Sequence, residues 1–217
     1  MRVIEIPFGS VGIDCLTPIT AAVAQEIAAY RLPGTRTGIT FVDRYLENVT
    51  AGELAGLFAA SLGVAFIGEG RTTGWNVATG SLDAQRELAR ARTLGLPVGS
   101  SPLLSIGCDL EGMVDCTPAD ASAYATAYGH TIAGAAYAPE GYIGDNVPLT
   151  PAQLYAQPFA GYWRSLSNVQ PIAGVDYYKL QAYPSQTIQL ASGPFQVDLN
   201  FVVRDKKLRL PSMVVGA

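Results

Sequence analysis

Eight short apolar runs, most of them followed by a helix start, restrict this chain to an α/β architecture. The runs lie at residues 11–15, 37–42, 64–67, 103–109, 141–144, 160–163, 178–182 and 196–200. Runs of this length, bounded by Gly, Pro and polar residues, read as buried strands. Between them stand helix-start signals of defined chemistry. Thr17-Pro18, Thr117-Pro118 with Asp120, and Thr150-Pro151 with Gln153 each place a capping hydroxyl before a proline. Such a proline carries no N–H to leave unsatisfied at the first helical position. Thr50 with Glu53 reads as a capping box, Gly63 as the stop of that helix, and Ser81 as the cap of a third helix with Leu82, Leu88 and Ala89 inward. Strands alternating with helices imply parallel βαβ units. Eight of them in 217 residues predict a single domain over 1–217, a compact (β/α)8 TIM-like barrel that is irregular around its fifth and sixth strands. An open doubly wound sheet is the competing arrangement.

Several functions are excluded at this level. The net charge is −4 and no basic run occurs, so nucleic acid is not an expected partner. No apolar stretch reaches the roughly 18–20 residues of a membrane helix, and no membrane partner is expected. The opening MRVIEIPFGS lacks the charged-then-apolar plan of a signal peptide. No GxGxxG follows the first strand and no Walker loop is present, so no cofactor is expected. Cys15, Cys108 and Cys116 fit no zinc spacing, and the single His130 has no nucleophile motif beside it. No metal ligand set is expected.

The strand ends carry the chemistry. Strand four reads Pro102-Leu103-Leu104-Ser105-Ile106-Gly107-Cys108-Asp109-Leu110-Glu111-Gly112. Alternation places Asp109 and Glu111 on one face. Neighbouring carboxyls at the end of a buried strand raise one another's pKa, which suits acid–base work on a glycosidic bond. A helix cap, a metal pair or two solvated acids are the plainer readings of that spacing. Other strand ends deliver Asp14, Asp43-Arg44-Tyr45, Glu69, Gln181 with Tyr183, and Asp198 with Asn200. In a barrel these ends meet at one mouth. Trp75, Tyr142, Trp163 and Tyr183 fall near the same ends and suit stacking on sugar rings, although large aromatics mostly serve packing.

The ordered set Gly12-Ile13-Asp14, Arg44-Tyr45, Leu94-Gly95-Leu96-Pro97, Asp109-Leu110-Glu111, Gln181-Ala182-Tyr183 and Val197-Asp198-Leu199-Asn200 resembles the glycoside-hydrolase-like barrel domains related to the family 25 lysozymes. The resemblance spans residues 11–203. It implies cleavage of the MurNAc–GlcNAc bond of peptidoglycan, with Glu111 as general acid. Asp109 would orient the N-acetyl group or stabilise developing positive charge, and Asp14 and Asp198 would hold the geometry. Arg44, Tyr45, Glu69, Trp75, Tyr142, Trp163, Gln181, Tyr183 and Asn200 would line the substrate. The implied partner is peptidoglycan or another carbohydrate, and the implied place of action is the cell wall. Without a signal peptide, the expected origin is a phage lysin or virion component, or delivery by another route. The alternative is an inactive barrel that binds carbohydrate or serves structurally, for example on a phage particle, where clustered carboxylates could also take a hard cation.

Overall fold

The computed structural model describes residues 1–166, 172–182 and 184–216. In chain order the elements are β1 (Arg2–Glu5), β2 (Val11–Asp14), α1 (Ala21–Ala29), β3 (Ile39–Tyr45), α2 (Ala51–Ala59), β4 (Gly63–Ile67), α3 (Val77–Thr93) and β5 (Ser105–Asp109). Then come α4 (Pro118–Gly134), β6 (Ala138–Ile143), α5 (Pro151–Tyr155), β7 (Gly161–Arg164), β8 (Lys179–Gln181), β9 (Gln186–Leu190), β10 (Gly193–Val202) and β11 (Ser212–Val215).

Eight strands close into a ring in the order β2-β3-β4-β5-β6-β7-β8-β10, and β10 returns to β2. Neighbours from β2 to β8 are parallel. β10 runs antiparallel to both of its ring neighbours. The fold is therefore a closed eight-stranded mixed barrel, where the expected (β/α)8 TIM-like barrel would have all eight strands parallel. Five helices occur among the described residues. β10 is reached through an antiparallel hairpin with β9 instead of a helix, and a hairpin entry reverses the strand direction. Around the fifth and sixth strands of the ring, β6 and β7 pair in register from Glu140↔Gly161 to Ile143↔Arg164, while the helix between them, α5, has only five residues and none is seen between β7 and β8 among the described residues. The tail strand β11 pairs antiparallel with β1 and touches β4 at Val214↔Val64.

The caps largely follow the local code. Thr117 and Thr150 accept the Asp120 and Gln153 N–H groups, and Gln153 completes a reciprocal box. Two starts differ, that of α1 through tertiary contacts and that of α3 through a local box, and the box expected at α2 does not form. α1 begins behind Thr20, not Thr17, because the Ile19 N–H is taken by Glu53 at 3.0 Å and the Cys15 carbonyl by Arg44. Thr50 caps α2, but the Glu53 carboxylate turns away from it toward Arg44. α3 is capped by Asn76 with Thr79, so Ser81 lies inside the helix. Its buried face carries Asp83, Glu87 and Leu88, while Leu82 and Ala89 are exposed. Asp83 is turned inward by Arg71 at 2.7 Å and the Tyr124 hydroxyl at 2.9 Å. Gly63 opens β4 rather than closing α2, since Ser61, at φ 62°, makes the turn.

The main core lies between barrel and helices, through residues such as Ile13, Leu57, Phe66, Ile106 and Ile132. Inside the barrel, Ile6, Phe41, Ala65, Val202 and Met213 form an apolar floor. Above that floor the interior turns polar, and that change positions the site.

Candidate active site

Strand alternation turns one residue in two toward the barrel axis. On β3, Asp43 faces inward to Lys179, while Arg44 faces the helix layer. The Lys179 Nζ lies 2.7 Å from Asp43 Oδ1, 3.7 Å from Glu140 Oε1 and 3.6 Å from the centre of the Trp163 ring. Asn200 Nδ2 donates to Asp43 Oδ2 and to Asp14 Oδ2, each at 2.9 Å. Asp14 Oδ2 also accepts from Gln181 Nε2 at 2.6 Å. The Gln181 amide reaches Asp198 at 3.4 Å, and its oxygen accepts from the Tyr142 hydroxyl at 3.0 Å. In the ladder Asp198 stands opposite Asp14.

On the other side of the mouth, Asp109 Oδ1 accepts the Glu111 N–H at 2.9 Å. Two glycines make room here. A Cβ on Gly70 would lie 2.7 Å from Asp109 Oδ2, and one on Gly144 would lie 2.6 Å from Glu111 Cβ. The phenols of Tyr45 and Tyr142 join the two halves. Each is held protonated, first by burial and then by the charges of Asp14, Asp109 and Glu111. Asp14, Asp109, Glu111 and Asp198 thus meet at one end of the barrel. Asp14 and Asp198 also share a cavity. A 340 Å³ hollow between the β2–α1 loop and the β9–β10 hairpin is lined by Asp14, Asp198, Cys15, Leu16, Thr17, Ser185, Gln196 and Val197. Asp109 and Glu111 are not among the residues that line it.

Burial is the main cause of the unusual acidities. It pushes Asp14 to about 7, with help from the Asp43 charge and against the Asn200 hydrogen bond. Asp109 also rises to about 7, by burial first, against the Glu111 and Gly70 N–H groups. Glu140 rises to about 7 against the pull of Lys179. Glu87, on the buried face of α3 against Gly68, reaches about 10 through burial and Glu47. Raised carboxyls bind protons in the folded state that the unfolded chain, near its ordinary 3.8 or 4.5, has already released. Stability therefore falls as pH rises from about 4 to about 7, and Glu87 extends the fall toward 10. Thermal unfolding is expected to give a Tm several degrees higher at pH 5 than at pH 8. A Tm that is flat or higher at pH 8 would mean these carboxyls ionise without cost to the fold.

The other sequence-selected residues separate clearly. Tyr45, Gln181 and Asn200 belong to the mouth, and Glu69 lies exposed beside Asp109 with its N–H on Glu47. Tyr142 and Trp163 face the barrel axis but are 5 % and 2 % exposed, packed edge to face at 4.5 Å. They form the wall under the mouth, so the expectation that they stack on sugar is corrected. Trp75 is likewise buried, edge-on against Tyr124 of α4. Arg44, 1 % exposed, pairs with Glu53 and does not reach the mouth; its selection as a substrate contact is corrected because it sits on the outward face of β3. Tyr183 lies outside the described residues. Two residues escaped the sequence reading, Glu140 and Lys179. Their signal is an isolated charge within an apolar strand, two residues before a residue of the mouth (Glu140-x-Tyr142 and Lys179-x-Gln181). Among the described residues no group of three or more His, Cys, Asp or Glu side chains is arranged to hold a metal ion, and no helix is long and apolar enough to cross a membrane.

Fold and site together define an α/β barrel with a carboxyl-lined mouth. Neither a protein-family model nor a curated protein matches the sequence. Solved structures do share the fold. An uncharacterized B. stearothermophilus protein, solved at 1.07 Å, superposes with a TM-score of 0.61 at 17 % identity, over 92 % of this chain and 98 % of that one. The modular autolysin LytC from Streptococcus pneumoniae, solved with a synthetic peptidoglycan ligand, gives 0.56 at 14 % identity, over 91 % of this chain. The match spans 48 % of the autolysin, about half its length. The catalytic domain of endolysin ply40 from bacteriophage P40 of Listeria monocytogenes gives 0.52 at 14 % identity, over 91 % and 94 % of the two chains. At these identities the likeness is one of fold.

Proposed function

We propose that this chain hydrolyses the glycan strand of peptidoglycan at the MurNAc–GlcNAc bond, with Glu111 as proton donor to the leaving oxygen. The observation that carries the reading is the convergence of Asp14, Asp109, Glu111 and Asp198, far apart in sequence, on one mouth. The fold shared with an autolysin and an endolysin catalytic domain supports it. Glycoside cleavage passes through an oxocarbenium-like transition state, which nearby carboxylates stabilise while one protonated carboxyl drives departure. Asp109, held by the Glu111 N–H, is suited to orient the substrate's N-acetyl group or to face the developing charge. The hollow beside Asp14 and Asp198 offers hydroxyl, amide and apolar surface to a sugar.

A purely carbohydrate-binding barrel would rely on exposed aromatic faces, and Trp75, Tyr142 and Trp163 are all buried. The test is release of new reducing ends from purified walls, with products identified by mass spectrometry. Muropeptides ending in reducing MurNAc are expected. Walls from several bacteria that yield no new ends would overturn the reading.

A further inference from the structure

Beneath the mouth, one cation is enclosed with two carboxyls. Lys179 is fully buried and donates to Asp43 Oδ1, with Glu140 as second neighbour. Asp43 accepts on both oxygens, from Lys179 on one side and from Asn200 on the other. The Lys179 charge, 2.7 Å from Oδ1, keeps Asp43 a carboxylate, an acceptor on both oxygens whatever the direction of the amide beside it. The orientation of Asn200 follows. Its NH2 must face Asp43, and the same nitrogen then donates its second proton to Asp14. Both partners being acceptors, the network itself assigns nitrogen and oxygen. The opposite amide atom, Asn200 Oδ1, is buried without a hydrogen-bond partner, so the amide is held from the NH2 side alone.

We propose that Lys179 is a positioning residue: by keeping Asp43 ionised it fixes the direction of the Asn200 amide, and so sets the hydrogen bond that holds Asp14 as a carboxylate in the mouth. Without the lysine charge, Asp43 takes up a proton and becomes a donor. Asn200 then turns its oxygen toward Asp43, that oxygen meets Asp14, and two acceptors face one another until Asp14 is protonated. The charged and titratable groups around Asp14 are Asp43 and Tyr45 on β3, Asp198 on β10, Lys179 on β8, Tyr142 on β6 and the adjacent Cys15. Among the described residues two further cations lie close by, Arg44 on the Cys15 carbonyl and Arg164 on the Gln181 carbonyl, but Lys179 is the one paired with Asp43.

The experiment is a pH titration of the Asp14 carboxyl by 13C NMR on aspartate-labelled protein, with the signal assigned by Asp14→Asn. Lys179→Met is expected to raise the Asp14 midpoint by roughly one pH unit or more. Lys179→Arg, which keeps the charge, is expected to leave it nearly unmoved. In an Asn200→Ala background, Lys179→Met should add nothing further, because the relay has been cut. If Lys179→Met does not fold, Lys179→Gln removes the charge and keeps a donor, and the same outcomes apply. An unmoved midpoint overturns the proposal. A full shift that persists in Asn200→Ala also overturns it, since the lysine would then act by field alone. The inference rests on the proposed role of Asp14, yet the titration is read without substrate. A wall assay that fails and a relay that fails are therefore separate results.

Discussion

Glu111→Gln is expected to lose about 100-fold or more of the glycan-cleaving rate, with the fold intact. The substitution keeps the side chain's size and removes the transferable proton. Glu111 is partly exposed at the mouth, and its backbone N–H, not its carboxyl, holds Asp109. The amide variant should therefore retain the Asp109 contact and unfold at nearly the wild-type temperature. That separation gives the comparison its force: a loss of rate without a loss of stability assigns the effect to chemistry. Asp109→Asn provides the contrast. It removes a carboxyl held near 7 by burial, so it should lose rate while gaining stability above neutral pH. Equal rates for wild type and Glu111→Gln would remove Glu111 from the proposed reaction.

Much of this arrangement was legible because a barrel converts sequence alternation into depth. Asp14, Asp109 and Gln181 lie at strand ends, and the strand ends were readable from apolar runs followed by polar residues. Asp198 and Asn200 were readable as well, although the direction of their strand was not. Period-two patterning is the same for parallel and antiparallel strands, and only the β9–β10 hairpin separates them. The aromatic rim failed for a related reason. Trp163 and Tyr142 do sit near strand ends, but they point along the barrel axis and fill space around Lys179. Strand position alone does not separate a wall from a rim. Lys179 and Glu140 were missed because a charge inside an apolar strand gains its partner only when distant strands close. Arg44 was misplaced by one step of alternation: its neighbours Asp43 and Tyr45 face the axis, and it does not.

Arg44→Met is expected to destabilise the fold by about 3–5 kcal/mol. Arg44 and Glu53 are 1 % and 7 % exposed and their charges stand 3.0 Å apart. Removing the arginine leaves a carboxylate in a dry layer between β3 and α2, and an unpaired buried charge costs far more than the pair contributes. A second loss accompanies the first. Arg44 donates to the Cys15 carbonyl, and Glu53 accepts the Ile19 N–H at 3.0 Å. The pair therefore holds both ends of the loop that lines the hollow beside Asp14. The double variant Arg44→Met/Glu53→Gln separates these effects. It removes both charges but keeps an oxygen to accept the Ile19 N–H, so most of the lost stability should return. Chemical denaturation with unchanged m-values would measure both steps. If the double variant is as unstable as Arg44→Met, the cost lies in the freed Cys15 carbonyl and the lost packing, and the buried charge is not the cause.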